Sequence, residues 1–282
     1  MFKRGPRTGG STHQRYGMTR KIAVGIVVYH AGAELLRRLE LTSSNGFEVY
    51  VFDNSPDVTN VRELAEPNPR IHYFTCGKNL GLGIGISTVC ANAYQHGHSA
   101  LLFFDQDTGF SSETLSYIES NFADNIDAYN AFSAIAFKAG GSARVRDVPL
   151  LINSGSLYFL DKLKALDWMD CSYFVDSVDY KFCLDSLNKN YRIGVCGATP
   201  GFDHVTEQAD SRYRIAGRTY SMRAYSGSRI KDTVSSNLKL IFSALKSRQV
   251  GFALRITRSL TLYCASQILV RVINTLGIFK RD

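Results

Sequence analysis

Short apolar runs alternate with amphipathic stretches along the chain from residue 21 onwards. Residues 22–29 are continuously apolar, which is typical of a strand buried on both faces of a sheet. Further strands are predicted at 47–55, 70–74 and 100–108, and helices at 33–41 and 79–97. Strands that alternate with helices indicate βαβ units, so the expected fold class is α/β with a mainly parallel sheet.

The second half of the chain has a weaker pattern. It predicts a strand at 148–153, a small turn at 154–156 leading into an apolar segment, a helix at 173–190 and a strand at 191–197. Residues 109–147 predict no regular element, and carboxylates become rare beyond residue 210. The expected domains are a disordered basic tail (1–20), an α/β domain (21–210) and a basic, apolar helical segment (211–282).

The net charge is informative about possible partners only when it is summed separately over the two ends and the middle of the chain. The 282 residues carry a formal net charge of +8. Residues 1–21 hold six basic and no acidic side chains (+6), and residues 211–282 hold fourteen basic and two acidic ones (+12), which leaves −10 for residues 22–210. A nucleic-acid-binding domain carries its positive charge on the folded body, so no nucleic acid is expected as a partner. An acidic core between basic ends suits a metal-using protein at an anionic membrane surface.

The cysteines and the first residues bear on the compartment. Six cysteines occur without a CxxC pair, so neither a zinc site nor a disulfide framework is indicated, and a reducing cytosol fits best. The first twenty residues are basic and lack the apolar core of a secretory signal peptide. Met18 is an alternative start.

The segment FFDQDT supplies the first candidate chemistry. Side chains two apart in a strand share a face, so Asp105 and Asp107 are expected to point the same way at the carboxyl end of an apolar strand. Open α/β sheets bind ligands at that end, and paired carboxylates favour Mg²⁺ or Mn²⁺ between them. The alternative is a solvated turn that contains two acids.

A second acidic pair and one histidine extend this candidate site. Asp176 and Asp179 are spaced i, i+3, so both can lie on one helix face. Asp176 could instead be a helix N-cap, whereas Asp179 suits a general base. His204 follows a predicted strand and could complete a metal site, although a lone histidine is more often structural.

Several common active-site motifs are absent from the sequence. The glycines at 77, 81, 83 and 85 do not fit the dinucleotide fingerprint, because Ile86 stands where a motif starting at Gly81 needs its third glycine. No Walker loop and no GxSxG elbow occur. Nicotinamide, P-loop and serine-hydrolase chemistry are therefore not expected.

Seven short segments follow one another along the chain: VVYH, VFDNS, NLGLGIG, DQDT, INSGSL, FVDSVDYKF and FDH. Taken in this order, they resemble the inverting family-2 glycosyltransferases of GT-A fold, in particular the rhamnosyltransferase-like branch. The resemblance covers about residues 21–205. It implies that 21–210 is a GT-A catalytic domain with a helical C-terminal appendage.

The resemblance also implies roles for individual residues. Asp53 would accept the N–H of a uracil or thymine base, and Asp107 and His204 would bind the divalent cation, Mn²⁺ or Mg²⁺, that bridges the diphosphate. Asp179 would be the catalytic base. The other implied nucleotide-sugar contacts are Tyr29, Asn79, Gly81, Asp105 and Gln106, and those on the acceptor or donor-sugar side are Ser154, Gly155 and Asp176.

Three positions depart from the family pattern. His30 replaces the asparagine that usually follows the first-strand tyrosine, and Ser87 or Thr88 stands where a second asparagine is usual. Lys181 replaces the acid or amide two residues after the base, which places a cation on the acceptor side.

The C-terminal segment suggests a location for the protein. Residues 251–279 are apolar, but the longest uncharged stretch, 259–270, has twelve residues, and a bilayer span needs ~20. An interfacial helix on an anionic membrane is expected, with a helical cap on the core or a homo-oligomer contact as the alternative. Residues 212–229, rich in basic and aromatic side chains, could bind the diphosphate of a lipid-linked acceptor.

The resulting hypothesis is a metal-dependent, inverting glycosyltransferase that uses dTDP-rhamnose or a UDP-hexose. Its acceptor would be a hydroxyl of a lipid-linked bacterial surface glycan, such as an O-antigen or capsule, at the inner face of the cytoplasmic membrane. The alternative is a non-catalytic GT-A-like scaffold protein of a glycan assembly complex. The joint presence of Asp105, Asp107, Asp179 and His204 argues for the enzyme.

Overall fold

The computed structural model describes the backbone of residues 22–57, 59–204, 211–215 and 218–276, and the side chains of residues 22–57, 59–202 and 222–275. The predictions of a disordered tail at 1–20 and of a start at Met18 lie outside the described residues.

Strands and helices alternate through most of the described chain. The strands are β1 (Ile22–Val28), β2 (Val49–Asp53), β3 (Ile71–Thr75), β4 (Ala100–Asp105), β5 (Thr108–Gly109), β6 (Phe132–Phe137), β7 (Arg146–Asp147), β8 (Ser156–Phe159), β9 (Arg192–Cys196), β10 (Asp203–His204), β11 (Ser211–Ile215) and β12 (Arg218–Met222). The helices are α1 (Ala33–Ser44), α2 (Asn60–Ala65), α3 (Leu82–Gln95), α4 (Ser112–Asp124), α5 (Leu160–Ala165), α6 (Val178–Asn188), α7 (Gly227–Lys246) and α8 (Val250–Leu276), with a 3₁₀ turn at Ala128–Ala131.

Eight of these strands form one sheet in the order β3-β2-β1-β4-β8-β6-β9-β7. Strands β1 to β4 pair in parallel, as do β6 and β9, whereas β8 and β7 run antiparallel to their neighbours. The predicted α/β fold with a mainly parallel sheet is therefore confirmed. The carboxyl ends of β1, β2 and β4 lie side by side at one edge.

Helices cover both faces of the sheet, so its central strands are apolar along their whole length. Every residue of β1 and β2 is buried. One core layer contains the sheet residues that face α3, α5 and α6, and the other contains those that face α1 and α4. This two-sided burial explains the continuous apolar run at 22–29.

The segment 109–147, for which no element was predicted, contains α4 and the central strand β6. α4 begins with a capping box between Ser111 and Thr114, and it buries Leu115, Ile118 and Phe122, which have helical spacing. β6 is fully buried but short and rich in small residues, so its pattern is weak.

The predicted strand at 148–153 is wrong. Only the backbone N–H of Val148 still donates to β9, at the carbonyl of Ile193, and the chain then leaves the sheet. The released segment carries Ile152 and Asn153 to the edge of the sheet at which β1 and β4 end.

The helix predicted from residue 173 begins only at Val178. Ser177 has the left-handed conformation (φ 65°), so residues 173–177 form a loop that cannot continue the helix. The prediction that Asp176 and Asp179 share a helix face is wrong, as is the alternative that Asp176 caps the helix, because the N-cap residue is Ser177.

The C-terminal helices share the core of the α/β domain. Leu240 and Ala244 of α7 and Phe252 and Ile256 of α8 are buried in the layer that also contains α3 and α6. Residues 211–215 and 218–222 pair as an antiparallel hairpin. Among the described residues, no helix has both the length and the apolar character that crossing a membrane requires.

Candidate active site

A cleft of about 460 Å³ opens where the carboxyl ends of β1, β2 and β4 meet. Its walls come from the ends of these strands, the loop before α3, the segment between β7 and β8, and the start of α6. The predicted site residues in its lining are Tyr29, Asn79, Gly81, Asp105, Gln106, Asp107, Asp176 and Asp179. The structure therefore brings together eight positions that are up to 150 residues apart in the sequence.

The DQDT segment forms a turn at the floor of this cleft. β4 ends at Asp105, and residues 106 and 107 turn before β5, so the expectation that Asp105 and Asp107 share a strand face is wrong. Both carboxylates nevertheless line the cleft, because the turn itself forms part of the cleft floor. The backbone N–H of Asp105 donates to Ser154 Oγ over 3.1 Å, which attaches the turn to the β7–β8 segment.

Arg38 of α1 holds this turn from behind, and the sequence pattern did not reveal it. Its guanidinium donates to the backbone carbonyls of Gln106, over 2.6 Å, and of Thr108. The side chain is buried, and its positive charge also acts on the carboxylate of Asp107. Arg38 thus determines the position of the acidic turn without lining the cleft.

The loop before α3 forms one wall of the cleft. Asn54, which follows β2, accepts from the backbone N–H of Leu80 over 3.0 Å and donates to the carbonyl of Gly81 over 3.1 Å. Asn79 accepts from the backbone N–H of Gly81 over 2.9 Å. Gly81 has φ +87°, and a Cβ there would lie 2.5 Å from the carbonyl oxygen of Phe174. Only glycine allows this close approach of two backbone segments.

Tyr29 and Gln106 are linked to each other at the mouth of the cleft. The backbone N–H of Tyr29 donates to Gln106 Oε1 over 2.8 Å, and the Tyr29 ring is 45% exposed. An exposed aromatic ring beside a polar cleft is available for contact with a ligand.

Three predicted site residues lie behind the cleft wall. Asp53 is fully buried, and its carboxylate accepts from the backbone N–H of Ser55 and from the hydroxyls of Thr59 and Tyr73. Ser154 is buried beside Thr108 Oγ1, and the backbone N–H of Gly155 donates to the carbonyl of Phe103. These positions support the cleft, and direct contact with a substrate would require them to move.

Asp179, in the first turn of α6, has a raised pKa. Burial raises the pKa of Asp179 to about 7, and the negative charges of Asp105 and Asp176 add to this rise, whereas the backbone N–H of Tyr180 opposes it. A carboxylate with a pKa near neutrality accepts a proton more readily than an ordinary aspartate.

A second cavity of about 250 Å³ adjoins the cleft at the same residues. It is enclosed by α6, α7 and α8, and its lining shares Asp176, Ser177, Asp179 and Arg229 with the cleft. Arg229 Nη2 donates to Asp176 Oδ1 over 2.7 Å, and the Thr233 hydroxyl donates to the other carboxylate oxygen of Asp176. Asp176 therefore joins the start of α6 to α7, and Asp179 faces both cavities.

The side chain of His204 lies outside the described residues. Its backbone pairs antiparallel with Thr108, the last residue of the DQDT segment. Residue 204 is therefore paired with the residue that follows Asp107 in the sequence.

The sheet, the acidic turn at its edge and the C-terminal helices define a GT-A fold. The structure superposes on that of S. aureus TarS 1-349 in complex with UDP-GlcNAc with a TM-score of 0.56 at 15% identity, covering 86% of this chain and 71% of that one. The complex of the same protein with UDP gives 0.54 at 16% identity, with 86% and 70% coverage. A further TarS 1-349 structure gives a TM-score of 0.50 at 19% identity, with 64% of this chain and 59% of that chain covered, so the chain spans less than two thirds of that relative.

The chain belongs to glycosyl transferase family 2, whose model matches residues 23–167. It is also 24% identical over 223 residues to the dTDP-rhamnosyl transferase RfbF of Shigella flexneri, which covers 71% of this chain and 73% of that protein. The resemblance to family-2 enzymes of GT-A fold and to the rhamnosyltransferase-like branch is confirmed.

Proposed function

We propose that the protein transfers a sugar, with inversion, from a nucleoside-diphosphate donor to a hydroxyl of a lipid-linked bacterial surface glycan at the inner face of the cytoplasmic membrane. The observation that carries this proposal is the place of Asp179, a carboxylate with a pKa near 7 at the junction of two cavities. The donor would occupy the cleft above Asp105 and Asp107, and the acceptor hydroxyl would enter from the second cavity.

In this mechanism Asp179 accepts the proton of the acceptor hydroxyl while the oxygen attacks the anomeric carbon. The leaving nucleoside diphosphate departs on the side of the DQDT turn, opposite the attacking oxygen. An attack from the face opposite the leaving group inverts the anomeric configuration. Asn79 and the exposed ring of Tyr29 would orient the nucleotide along the wall of the cleft.

The cleft fits a divalent cation. Asp107 offers oxygen ligands, which Mg²⁺ and Mn²⁺ prefer, and the neighbouring Asp105 adds to the negative charge of the cleft. When bound, the ion would neutralise the negative charge that develops on the diphosphate. Asp107 and His204 are the proposed protein ligands.

The proposed donor is dTDP-rhamnose, with UDP-galactose and UDP-glucose as the next candidates. The similarity to the dTDP-rhamnosyl transferase RfbF supports dTDP-rhamnose, and the UDP-GlcNAc complex of TarS supports a uridine nucleotide. Calorimetric titration of each nucleotide sugar, with Mn²⁺ and with EDTA, distinguishes them. We expect one donor to bind only with metal, and Asp107→Asn to abolish that dependence.

Asp147→Asn is the matched control, because Asp147 is an exposed carboxylate on β7 that pairs with Arg192. If wild-type protein binds no nucleotide sugar under any of these conditions, the enzyme proposal is wrong and a non-catalytic scaffold protein is favoured.

The C-terminal helices support the membrane part of the proposal. Their inner faces pack on the core, and their outer faces expose an apolar stripe that comprises Leu238, Phe242 and Leu245 of α7 and Leu254, Leu262, Leu269 and Val272 of α8. Spacings of three, four, seven and eight residues place these side chains on one side of each helix. Arg255 and Arg258 are exposed beside the stripe, as an interfacial helix on anionic lipid needs.

Point substitutions test this surface better than truncation, because α8 also contributes to the core. We expect Leu254→Gln combined with Leu262→Gln to reduce co-sedimentation with phosphatidylglycerol vesicles, and Arg62→Gln on α2 to leave it unchanged. Wild-type protein that does not bind such vesicles would contradict the membrane proposal, and a dimer that these substitutions dissociate would indicate an oligomer contact instead.

A further inference from the structure

Three of the six histidines of the chain lie together at the edge of the sheet opposite the cleft. His72 is near the start of β3, His96 is the C-cap residue of α3, and His98 precedes β4. They surround Glu48, which immediately precedes β2, and the ring of Tyr50. We call Glu48, Tyr50, His72, His96 and His98 the histidine cluster. The mechanism above uses none of them.

The polar atoms of the histidine cluster converge on one carboxylate. Glu48 Oε2 lies 3.2 Å from His72 Nε2, 3.1 Å from His98 Nε2 and 3.2 Å from the Tyr50 hydroxyl. The same hydroxyl is 2.8 Å from His96 Nδ1. One ligand atom each from Glu48, His72 and His96 falls within 4.8 Å of the other two.

The carboxylate of Glu48 is held by three neighbouring side chains, His98, Tyr50 and His72. With Glu48 as an acceptor, His98 donates through Nε2, and its buried Nδ1 has no hydrogen-bond partner among the described residues. His98 is 5% exposed, so its ring is fixed in the cluster and aimed at the carboxylate.

We propose that Glu48, His72 and His96 bind a transition-metal cation of the Zn²⁺ type. Two imidazoles and one carboxylate are a common ligand set for Zn²⁺, with water in the remaining position. Ligand atoms around tetrahedral Zn²⁺ lie roughly 3.4 Å apart, so the three ligand atoms, which now lie within 4.8 Å of one another, would approach by side-chain rotation when the metal binds.

The other members of the histidine cluster act on these ligands. The Tyr50 hydroxyl donates to Glu48 and is hydrogen bonded to His96 Nδ1, so it links two of the proposed ligands. His98 holds the same carboxylate. Such outer contacts orient metal ligands and fix the tautomer of a ligating histidine.

This site is distinct from the donor cleft. Glu48 and Asp53 lie at opposite ends of β2, so the two sites are about 17 Å apart along a strand that rises ~3.3 Å per residue. Nitrogen ligands favour Zn²⁺ over Mg²⁺, whereas the carboxylates of the cleft favour Mg²⁺ or Mn²⁺. A cation here would join β2, β3 and the end of α3, and its role would be structural.

The test is a calorimetric titration of the full chain with ZnCl₂, free of any histidine tag, treated with EDTA and then kept in excess MgCl₂ to occupy the cleft. We expect one equivalent of Zn²⁺ with a Kd below about 1 µM. His96→Gln and His72→Gln should each weaken binding by at least ~10-fold. His30→Gln, which changes a histidine outside the cluster, should leave binding unchanged.

Cobalt provides a second readout that does not depend on affinity. Co²⁺ in the site should give weak visible d–d bands without a thiolate charge-transfer band, which separates it from binding at the exposed Cys76 or Cys171. His96 is exposed, so His96→Gln keeps the test valid if His72→Gln fails to fold, as circular dichroism would reveal. The proposal is overturned if wild-type protein binds no Zn²⁺, or if Zn²⁺ binding survives when His72→Gln and His96→Gln are combined in one chain.

Discussion

The raised pKa of Asp179 predicts that this carboxylate, the proposed base, destabilises the folded protein when it is ionised. Well below pH ~4 the carboxyl is neutral in both the folded and the unfolded chain. As the pH rises, the unfolded chain releases its proton first, and the folded chain releases it only near pH 7. The free energy of unfolding therefore falls by up to ~1.36 kcal/mol per pH unit in this window, which amounts to about 2.3 kcal/mol between pH 5 and pH 7 because the folded carboxyl is half ionised at pH 7.

Asp179→Asn removes the titration but keeps the size of the side chain. We expect the variant to gain stability over wild type as the pH rises from 5 to 8, by about 1–3 kcal/mol after solvent screening reduces the full value. Urea denaturation in EDTA at the two pH values measures this difference, and Asp161→Asn, at an exposed carboxylate on α5, should give no pH-dependent gain.

The same substitution should lower the rate of sugar transfer by 10²- to 10⁴-fold, about the contribution of a general base. In wild type, kcat/KM should rise with pH, reach half of its maximum near pH 7 and level off about one pH unit higher. If Asp179→Asn transfers sugar at a near-normal rate, the base assignment is wrong. If the stability difference is the same at both pH values, the carboxylate is not perturbed and the electrostatic reasoning fails.

Two further predictions concern the backbone segments that shape the cleft. Arg38→Met should lower the metal-dependent affinity for the donor by about 10-fold because the DQDT turn loses two charge-assisted hydrogen bonds, and calorimetry would measure this loss. Arg37→Met, at the exposed neighbouring position, should have no such effect, and equal behaviour of the two variants would argue against a role of Arg38 in the turn. Gly81→Ala should reduce the free energy of unfolding by more than ~2 kcal/mol, because the new Cβ meets a backbone oxygen in addition to the strain of a positive φ. Gly77→Ala has the strain without the clash and should cost only about 1 kcal/mol, as thermal denaturation would reveal.

The strands whose ends line the cleft could be predicted because each is buried on both faces. Continuous apolar runs identified β1, β2 and β4, and the polar residues at their carboxyl ends identified the cleft. The relation of Asp105 to Asp107 could not be predicted, because the position at which a strand gives way to a turn depends on contacts from other elements. Here those contacts come from Arg38, seventy residues from Thr108, and from Ser154.

The sequence pattern also could not separate residues that face the substrate from those that support them. Asp53 and Ser154 belong to motifs as clear as that of Asp107, yet both are buried and hydrogen bonded within the protein. The partner of Asp176 could not be foreseen either. Arg229 lies fifty-three residues away on a helix whose packing against α6 is a property of the fold.

The exposed stripe on α8 and the second cavity lie on opposite sides of one helix. Ser259, Leu260 and Tyr263 line the cavity, whereas Leu254 and Leu262 point outward. With its 27 residues α8 is about 40 Å long, and it is ~10 Å across. If the stripe rests on the bilayer, the thickness of this helix sets the distance of Asp179 from the membrane surface. The protein would then select acceptors by length, favouring a hydroxyl held close to the lipid anchor over one at the end of a long saccharide.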